Sequence, residues 1–398
     1  MSRILRQLLA AGVGAGNLRR IEEWKTALWK IVCKGSSVGQ RLAQTGFSTN
    51  EMRGTGAITE STYWRFWPKT VLLPSPRSCG ISHVARFAWT ALCWNVAVVL
   101  WGAYVRATGS GAGCGNRWPL CDGDVVGARA QAQTIVEFTH RMTSAISLLM
   151  AIGLVVWSWR VTKRGDWVRY SALLVVALLA NEALLGAALV LLKHVADDHS
   201  VGRILFLCLH FGNTLLLLAA LALTAVWLSN GSRSFTLTGK WREVSSIGLG
   251  LLATMATGIT GAVAALADTL FPSTSLRSSL MKDFGSVTPA LLHCRLFHPA
   301  EALISACSVL WIVLGSFARR HRFSRSAIAL IISILLQVAV GIANVFFLAP
   351  VWLQIAHLFL ADVLWVLLVL VLADLILDRT SSSEVNVLPS FVKEGQET

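Results

Sequence analysis

Long apolar segments alternate with short polar ones from about residue 87 to residue 376. Each apolar segment is roughly 20 residues long, which is the length that an α-helix needs to cross the hydrocarbon core of a bilayer. Eight such segments lie at about 87–105, 135–157, 170–192, 204–228, 244–267, 299–317, 327–348 and 351–376. The pattern therefore predicts an all-α integral membrane protein with eight transmembrane helices.

The two ends of the chain lack any apolar run long enough to span a bilayer. Residues 1–86 begin with an Arg-rich, acid-poor segment, which could be a transit peptide, a cytoplasmic tail, or an artefact of a start codon assigned too early. We favour the tail or the artefact, and expect residues 1–86 to be a disordered cytoplasmic extension. Residues 377–398 are expected to form a second cytoplasmic tail.

Basic residues concentrate in the loops after the second, fourth and sixth predicted spans. They are Arg160, Lys163, Arg164 and Arg169, then Arg233, Lys240 and Arg242, then Arg319, Arg320, Arg322 and Arg325. The alternate loops, at about 107–134, 193–203, 268–298 and 349–350, are less basic for their length. Because Lys and Arg are retained on the cytoplasmic side, this bias predicts that both termini lie in the cytoplasm.

The composition agrees with a membrane protein and argues against a nucleic-acid partner. Charged residues make up 14% of the chain, against about 25% in soluble domains. Much of the net charge of +14 lies in residues 1–86, which hold 13 Lys and Arg against four Glu. We interpret this surplus as attraction to anionic membrane lipid together with topology signals.

The chain repeats its own pattern of glycine and polar residues. The matching positions are Gly102 with Gly261, His140 with His298, Glu182 with Gln337, Gly186 with Gly341, and His210 with His357. Internal duplication is a common origin of membrane folds. We therefore predict two pseudo-symmetric four-helix bundles, a first half at 87–228 and a second half at 229–376.

Four of the nine histidines lie in or at the mouth of an even-numbered span, at similar depth near the outer face: His140, His210, His298 and His357. An imidazole within the membrane is costly unless it is paired or ligated. Two facing imidazoles in a four-helix bundle suit haem iron, whereas zinc would need further ligands. The sequence therefore predicts one haem site in each half.

The two halves differ beside these histidines. Glu137 lies three residues before His140, and Arg295 lies three residues before His298, so each should share a helix face with its histidine. Glu137 suits proton handling; the alternatives are a charge stabilised by the helix dipole or a partner for an imidazole N–H. Arg295 suits a haem propionate or a structural charge. The difference suggests a reactive first half and an electron-relaying second half.

Two cysteines, Cys114 and Cys121, lie seven residues apart in the first outer loop. On the oxidising side of the membrane they could form a disulfide. The pair is either a structural staple or a redox-active couple, and the sequence leaves both open.

Several motifs together resemble the haem A synthase family over about residues 87–376. They are TGSG at Thr108–Gly111 with Cys114 and WPLC at Trp118–Cys121; EFTHR at Glu137–Arg141; AALADTLFP ending at Pro272; LFHP at Leu296–Pro299; and QIAHLFLADVLW at Gln354–Trp365. The resemblance implies an eight-helix membrane enzyme that oxidises the C8 methyl of haem O to a formyl group through hydroxylated intermediates, giving haem A.

The resemblance also implies roles for particular residues. His140 and His210 would bracket the substrate haem, and His298 and His357 would ligate a haem b cofactor. Glu137 would be the catalytic carboxylate. Arg106, Arg141 and Arg295 are our candidates for contacts with haem propionates. The cysteine pair matches that of many bacterial members, which indicates a bacterial plasma membrane.

The expected partners are a haem O synthase that supplies the substrate, a haem-copper oxidase that receives the product, and an electron donor that the sequence does not identify. Two alternatives are a non-catalytic di-haem electron-transfer cytochrome and a haem chaperone. The chain departs from the family pattern in lacking cysteines over 268–293 and in carrying Glu182 where Gln is expected.

Overall fold

The computed structural model describes residues 76–121, 131–196, 198–230, 241–283, 290–320 and 325–376. The chain divides into two compact units, Met1–His83 and Val84–Thr398. Of the first unit the structure describes residues 76–83, which are helical. The predictions for residues 1–75 and 377–398, and for Arg233, Lys240 and Arg322, lie outside the described residues.

The described residues form nine α-helices and one 3₁₀ turn. They are α1 Pro76–Ala107, the 3₁₀ turn Ser110–Ala112, α2 Ala132–Val161, α3 Trp167–Leu191, α4 Val201–Asn230, α5 Trp241–Leu270, α6 Leu276–Asp283, α7 Ala290–Arg320, α8 Arg325–Phe346 and α9 Val351–Ile376. Every helix except α6 contains a segment long and apolar enough to cross a membrane, which gives eight candidate spans. The prediction of an all-α protein with eight spans is confirmed for the described residues.

The short helix α6 lies in the loop after α5 and was not predicted. Its sequence, LRSSLMKD, is mostly polar and only eight residues long. A pattern based on apolar periodicity detects long amphipathic or membrane-spanning helices, and it has little to detect in such a segment.

Helices α3 and α8 end in the same way at equivalent positions. The amide of His194 donates to the carbonyl of Leu189, and the amide of Ala349 donates to that of Asn344. Just before each amide donor stands a residue with positive φ, Lys193 at 60° or Leu348 at 59°. These are the bonds and left-handed residues of a Schellman ending. The 155-residue offset between the two endings equals that between Gly186 and Gly341, so it supports a duplication.

The two largest apolar cores hold most of the helices together. The first contains residues of α1–α4, among them Val84, Leu154 and Leu218, and also takes in Trp365 of α9. The second is formed by α5, α7, α8 and α9 and includes Leu330. Many large apolar side chains outside these cores are exposed, as lipid-facing residues of a membrane protein are. The symmetry relating the two halves stays a prediction.

Candidate functional site

Each of the four membrane histidines lies against a glycine of the preceding membrane helix. If a Cβ atom is built on each glycine, its distance to the nearest imidazole atom measures how tight the contact is. The distance is 2.9 Å from Gly102 to His140 and 2.8 Å from Gly261 to His298. It is 3.1 Å from Gly341 to His357 and 3.6 Å from Gly186 to His210. A missing side chain thus makes room for each imidazole, most stringently at Gly102 and Gly261. The repeated glycines of the sequence therefore have a steric role in positioning the histidines.

The structure brings the histidines together in the two predicted pairs. The imidazole of His140 is close enough to interact electrostatically with that of His210, and His357 interacts in the same way with His298. Each pair joins two helices of one half, α2 with α4 and α7 with α9. Such a pair has the donor chemistry of a metal centre with two axial imidazole ligands, as in bis-histidine haem.

The buried nitrogens of these rings also fit a ligand set. The Nδ1 atoms of His140, His210 and His357 are buried without a hydrogen-bond partner among the described residues. Buried polar atoms usually have a partner, and an orphan often marks a functional site. The residues present therefore fit haem iron.

Glu182 lies beside His210. Its Oε1 atom is 3.4 Å from the Nδ1 atom of His210, and its other oxygen accepts a hydrogen bond of 2.5 Å from Asn213. The hydroxyl of Thr214 also donates to Glu182. Glu182 replaces the Gln expected from the family pattern, and the structure gives it a network of donors facing the first histidine pair.

A comparable arrangement lies beside His298, and the sequence analysis missed it. The hydroxyl of Thr260 donates to Oε2 of Glu301 over 2.7 Å and lies 3.3 Å from Nδ1 of His298. Glu301 follows His298 by three residues, so the two share a helix face, and an acid at this depth is unusual. Both features were visible in the sequence. The Nε2 atom of His357 lies 3.4 Å from the side-chain amide nitrogen of Gln337. Gln337 is the repeat counterpart of Glu182, which lies beside His210.

Glu137 faces the outer loop. One of its oxygens accepts a 2.7 Å hydrogen bond from the backbone amide of Cys114, and the other accepts 2.6 Å from the guanidinium of Arg141. Its side chain is almost fully buried, with 4% exposed. Among the described contacts Glu137 has no hydrogen bond to a histidine, so the imidazole-partner alternative is not what this structure contains. The catalytic role of Glu137 stays a prediction.

The outer loop is closed by a disulfide between Cys114 and Cys121, as predicted. The start of α2 holds this loop from several sides. Thr134 donates to the carbonyl of Gly113 over 2.6 Å, and Arg141 donates to the carbonyls of Arg117, Pro119 and Leu120. The disulfide loop is thus fastened to the helix that carries His140, by residues on both sides of that histidine.

The three arginines predicted to contact haem propionates all have protein partners. Arg106 of α1 donates to the carbonyl of Ala265, to Thr269 and to Gln354. It therefore ties the first half to α5 and α9. Arg295 pairs with Asp268 over 2.9 Å and also with Asp283. Arg141 binds Glu137 and the outer loop. Propionate contacts by these residues stay a prediction.

An open cavity of about 370 Å³ lies where α1 and α5 end. Its lining includes Arg106, Thr108, His199 and Thr269. The cavity therefore lies beside Arg106, which joins the two halves.

The connection between α3 and α4 contains a charged turn. Asp198 accepts hydrogen bonds from the amide and hydroxyl of Ser200, and it pairs with Nδ1 of His194 over 2.8 Å. Partial burial opposes ionisation of this carboxyl, but the hydrogen bonds from Ser200 and His194 prevail and lower the pKa of Asp198 to about 2. His194 also stacks on Phe206, so its ring is held by both the carboxylate and the aromatic side chain.

Comparison with known proteins places this arrangement in context. Residues 85–369 match the family model COX15-CtaA, described as cytochrome oxidase assembly protein. The chain is 30% identical over 287 residues to a haem A synthase of Bacillus licheniformis, covering 67% of this chain and 88% of that protein. It is 28% identical over 292 residues to a haem A synthase of Listeria monocytogenes, covering 70% and 90%.

A second group of relatives is longer than this chain. The chain is 42% identical over 296 residues to a protohaem IX farnesyltransferase of Thermus thermophilus, covering 72% of this chain and 48% of that protein. The chain therefore spans about half the length of these relatives.

Proposed function

The chain belongs to the COX15-CtaA family of cytochrome oxidase assembly proteins, and we propose that it is a haem A synthase that converts haem O to haem A. The proposal is carried by one observation, the two pairs of imidazoles that lie against helix glycines. His140 and His210 would bracket the substrate haem, and His298 and His357 would hold a haem b cofactor. We assign oxidation of the C8 methyl group to the first half.

The iron of bound haem would supply the electron-transfer and oxidation chemistry. The protein's own contribution is to place and polarise the imidazoles. Glu182 next to His210, and Thr260 with Glu301 next to His298, would orient the rings, because a carboxylate near the second ring nitrogen fixes its orientation and raises the basicity of the ligand. These contacts would hold the two irons in different electrostatic surroundings.

Glu137 remains our proposed catalytic carboxylate, on the resemblance to the family. Its contacts favour a positioning role as well, because both of its oxygens are already engaged with Cys114 and Arg141. We propose that Glu137 keeps the disulfide loop seated over the His140 helix and so excludes water from the substrate. The disulfide would then act at least as a staple for the lid formed by this loop.

The protein is a multi-pass membrane protein with eight candidate spans. We propose that it lies in a bacterial plasma membrane with both termini in the cytoplasm, following the distribution of basic residues. A haem O synthase would supply its substrate and a haem-copper oxidase would receive the product. Both imidazole pairs then lie near the outer face.

Pigment extraction tests the proposal. The full chain is expressed in a bacterium that makes haem O but no haem A, and the extracted haems are separated by chromatography. We expect haem A or its hydroxylated precursor. Haem b alone would support the non-catalytic di-haem cytochrome or chaperone and would contradict the enzyme.

Two controls sharpen this experiment. A variant with His140→Ala and His210→Ala should retain haem b and yield no haem A. Expression in a host that lacks haem O synthase addresses the Thermus relatives, because new haem O there would indicate prenyl transfer by this chain instead of methyl oxidation.

A further inference from the structure

Asp362 is a fully buried carboxyl group in the middle of α9. Its exposed fraction is 0%, and neither carboxyl oxygen has a hydrogen-bond partner among the described residues. It follows His357 by five residues, which corresponds to about 7.5 Å along the helix axis. No role proposed above uses this group.

The neighbours of Asp362 along α9 show what it faces. Trp365 donates its indole N–H to the carbonyl of Leu215 on α4 over 2.7 Å. Ala373 packs against Val226, which is also on α4. Residues at i+3 and i+11 lie on the same side of a helix as residue i. Asp362 therefore lies on the side of α9 that packs against α4, in the seam between the two halves.

The same contacts fix its depth. Leu215 and Val226 meet Trp365 and Ala373 in the same order, so α4 and α9 run in parallel. Asp362 lies three residues before the Trp365 contact, at about the level of Gly212 of α4, and the side chain of Ile259 lies 3.5 Å from a Cβ built on Gly212. His210 and His357 both precede this level on their helices, so Asp362 lies in the seam within two turns of a histidine of each pair.

The burial decides the protonation state. A carboxylate inside a membrane protein is costly unless a cation or several donors compensate it, and none of the described residues donates to Asp362. A neutral carboxyl group still carries one O–H donor and one acceptor oxygen. Buried groups without a protein partner are the sites where internal water binds.

We propose that Asp362 is a neutral carboxylic acid that binds an internal water molecule in the seam and so holds an exchangeable proton within two turns of both imidazole pairs. Water needs two to four polar contacts, whereas a metal cation needs a larger set of oxygen ligands. The described residues contain no group of three or more His, Cys, Asp or Glu able to hold a metal ion. The inference does not depend on the reaction proposed above.

Infrared spectroscopy of the full chain in lipid nanodiscs tests the proposal. At about pH 7 the wild type should show the carbonyl stretch of a neutral carboxylic acid. Asp362→Asn should remove that band. Asp374→Asn is the matched control, because Asp374 is exposed on the same helix and accepts from Ser326; it should leave the band in place.

Exchange with D₂O tests the bound water. The band should shift to lower frequency as O–H becomes O–D, because the acid exchanges its proton with water. If Asp362→Asn fails to fold, the chain can be labelled with ¹³C on its aspartate carboxyl groups. The band should then move in the labelled wild type and stay unshifted in labelled Asp362→Glu.

Three results would overturn the proposal. They are a neutral-acid band that survives Asp362→Asn, a wild-type spectrum in which Asp362 is ionised at about pH 7, and a band that does not shift in D₂O. An ionised Asp362 whose signal depends on sodium would instead assign the seam to a cation.

Discussion

The two halves share the contact that positions their histidines and differ in the charged groups and loops that lie next to the histidine helices. Gly102 meets His140 at 2.9 Å, and Gly261 meets His298 at 2.8 Å. Outward of the histidines, the first half has a disulfide loop fastened to α2, whereas the second half has Arg295 paired with two aspartates. The repeated positions hold the imidazoles, and the unrepeated ones give each half its own chemistry.

The carboxylates make this difference concrete. Glu137 precedes its histidine by three residues and reaches outward to the loop, while Glu301 follows its histidine by three residues and meets Thr260 beside the ring. Both share a helix face with a histidine, yet only Glu301 lies close to one. A residue on the same helix face as a histidine therefore need not contact it. Glu137 lies before its histidine in the helix and Glu301 lies after its own, so their side chains reach different levels of the bundle.

The largest expected effect concerns Glu137. Glu137→Ala removes the acceptor for the Cys114 amide and the partner of Arg141, and we expect haem A formation to fall by about 100-fold or more, in the range of a lost catalytic or positioning group. Both haems should stay bound, because no histidine depends on Glu137. Turnover and the absorbance of bound haem measure the two quantities in the same preparation.

Thr134→Val is the control for loop position. It removes a second tie between α2 and the loop, the bond to the Gly113 carbonyl, without changing charge. A small loss of turnover in this variant and a large one in Glu137→Ala would indicate chemistry at the carboxylate. Equal losses would mean that Glu137 acts through the loop, and full activity of Glu137→Ala would remove it from the mechanism.

The next effect tests the shared contact. Gly102→Ala places a methyl group 2.9 Å from the ring of His140, so the imidazole must shift, and overpacking of this kind costs about 1–3 kcal/mol. We expect haem retention in the first half to fall about tenfold or more. Gly186→Ala, with 3.6 Å to His210, is the matched control and should change retention little. Equal effects of the two variants would show that the contact distance is not what matters.

A smaller effect should appear in the reduction potentials of the haems bound in the two halves. Glu301→Gln keeps a hydrogen-bond partner for Thr260 but removes the negative charge beside His298. The second-half haem should become easier to reduce, with its potential rising on the order of 50 mV, equivalent to about 1 kcal/mol. Redox titration of the bound haems measures this shift, and Glu182→Gln should move the other haem instead. A potential that stays constant would mean that Glu301 does not interact with the bound iron through His298.

The smallest effect lies in the turn between α3 and α4. The pKa of Asp198 is lowered from 3.8 to about 2 in the folded protein. A lowered pKa contributes stability above the unfolded value, and that contribution is lost as the pH falls from about 4 to about 2. After solvent screening the contribution is at most about 1 kcal/mol. Thermal unfolding at about pH 5 and at about pH 2 should converge for wild type and Asp198→Asn at the lower pH, and a difference that persists there would contradict the assignment.

The sequence predicted the larger elements of the fold. Eight apolar segments gave eight spans, because the thickness of the bilayer sets how many apolar residues a crossing helix must contain. The cysteine pair also followed from the sequence, since close cysteines are few and conspicuous. Polar groups inside a membrane are equally conspicuous, and the role of the four histidines as ligands stays a prediction. Helix α6 escaped prediction because a short polar helix has no such signal.

The partners of the polar side chains were decided by the tertiary structure alone. That Arg106 binds α5 and α9, and that Arg295 meets Asp268, depends on the rotation, tilt and spacing of neighbouring helices. Small changes in those quantities alter which groups come within hydrogen-bonding distance, and a hydrogen bond tolerates only a few tenths of an ångström. The length and polarity of the segments therefore determined the helices and their histidines, while packing between helices determined what each charged group binds.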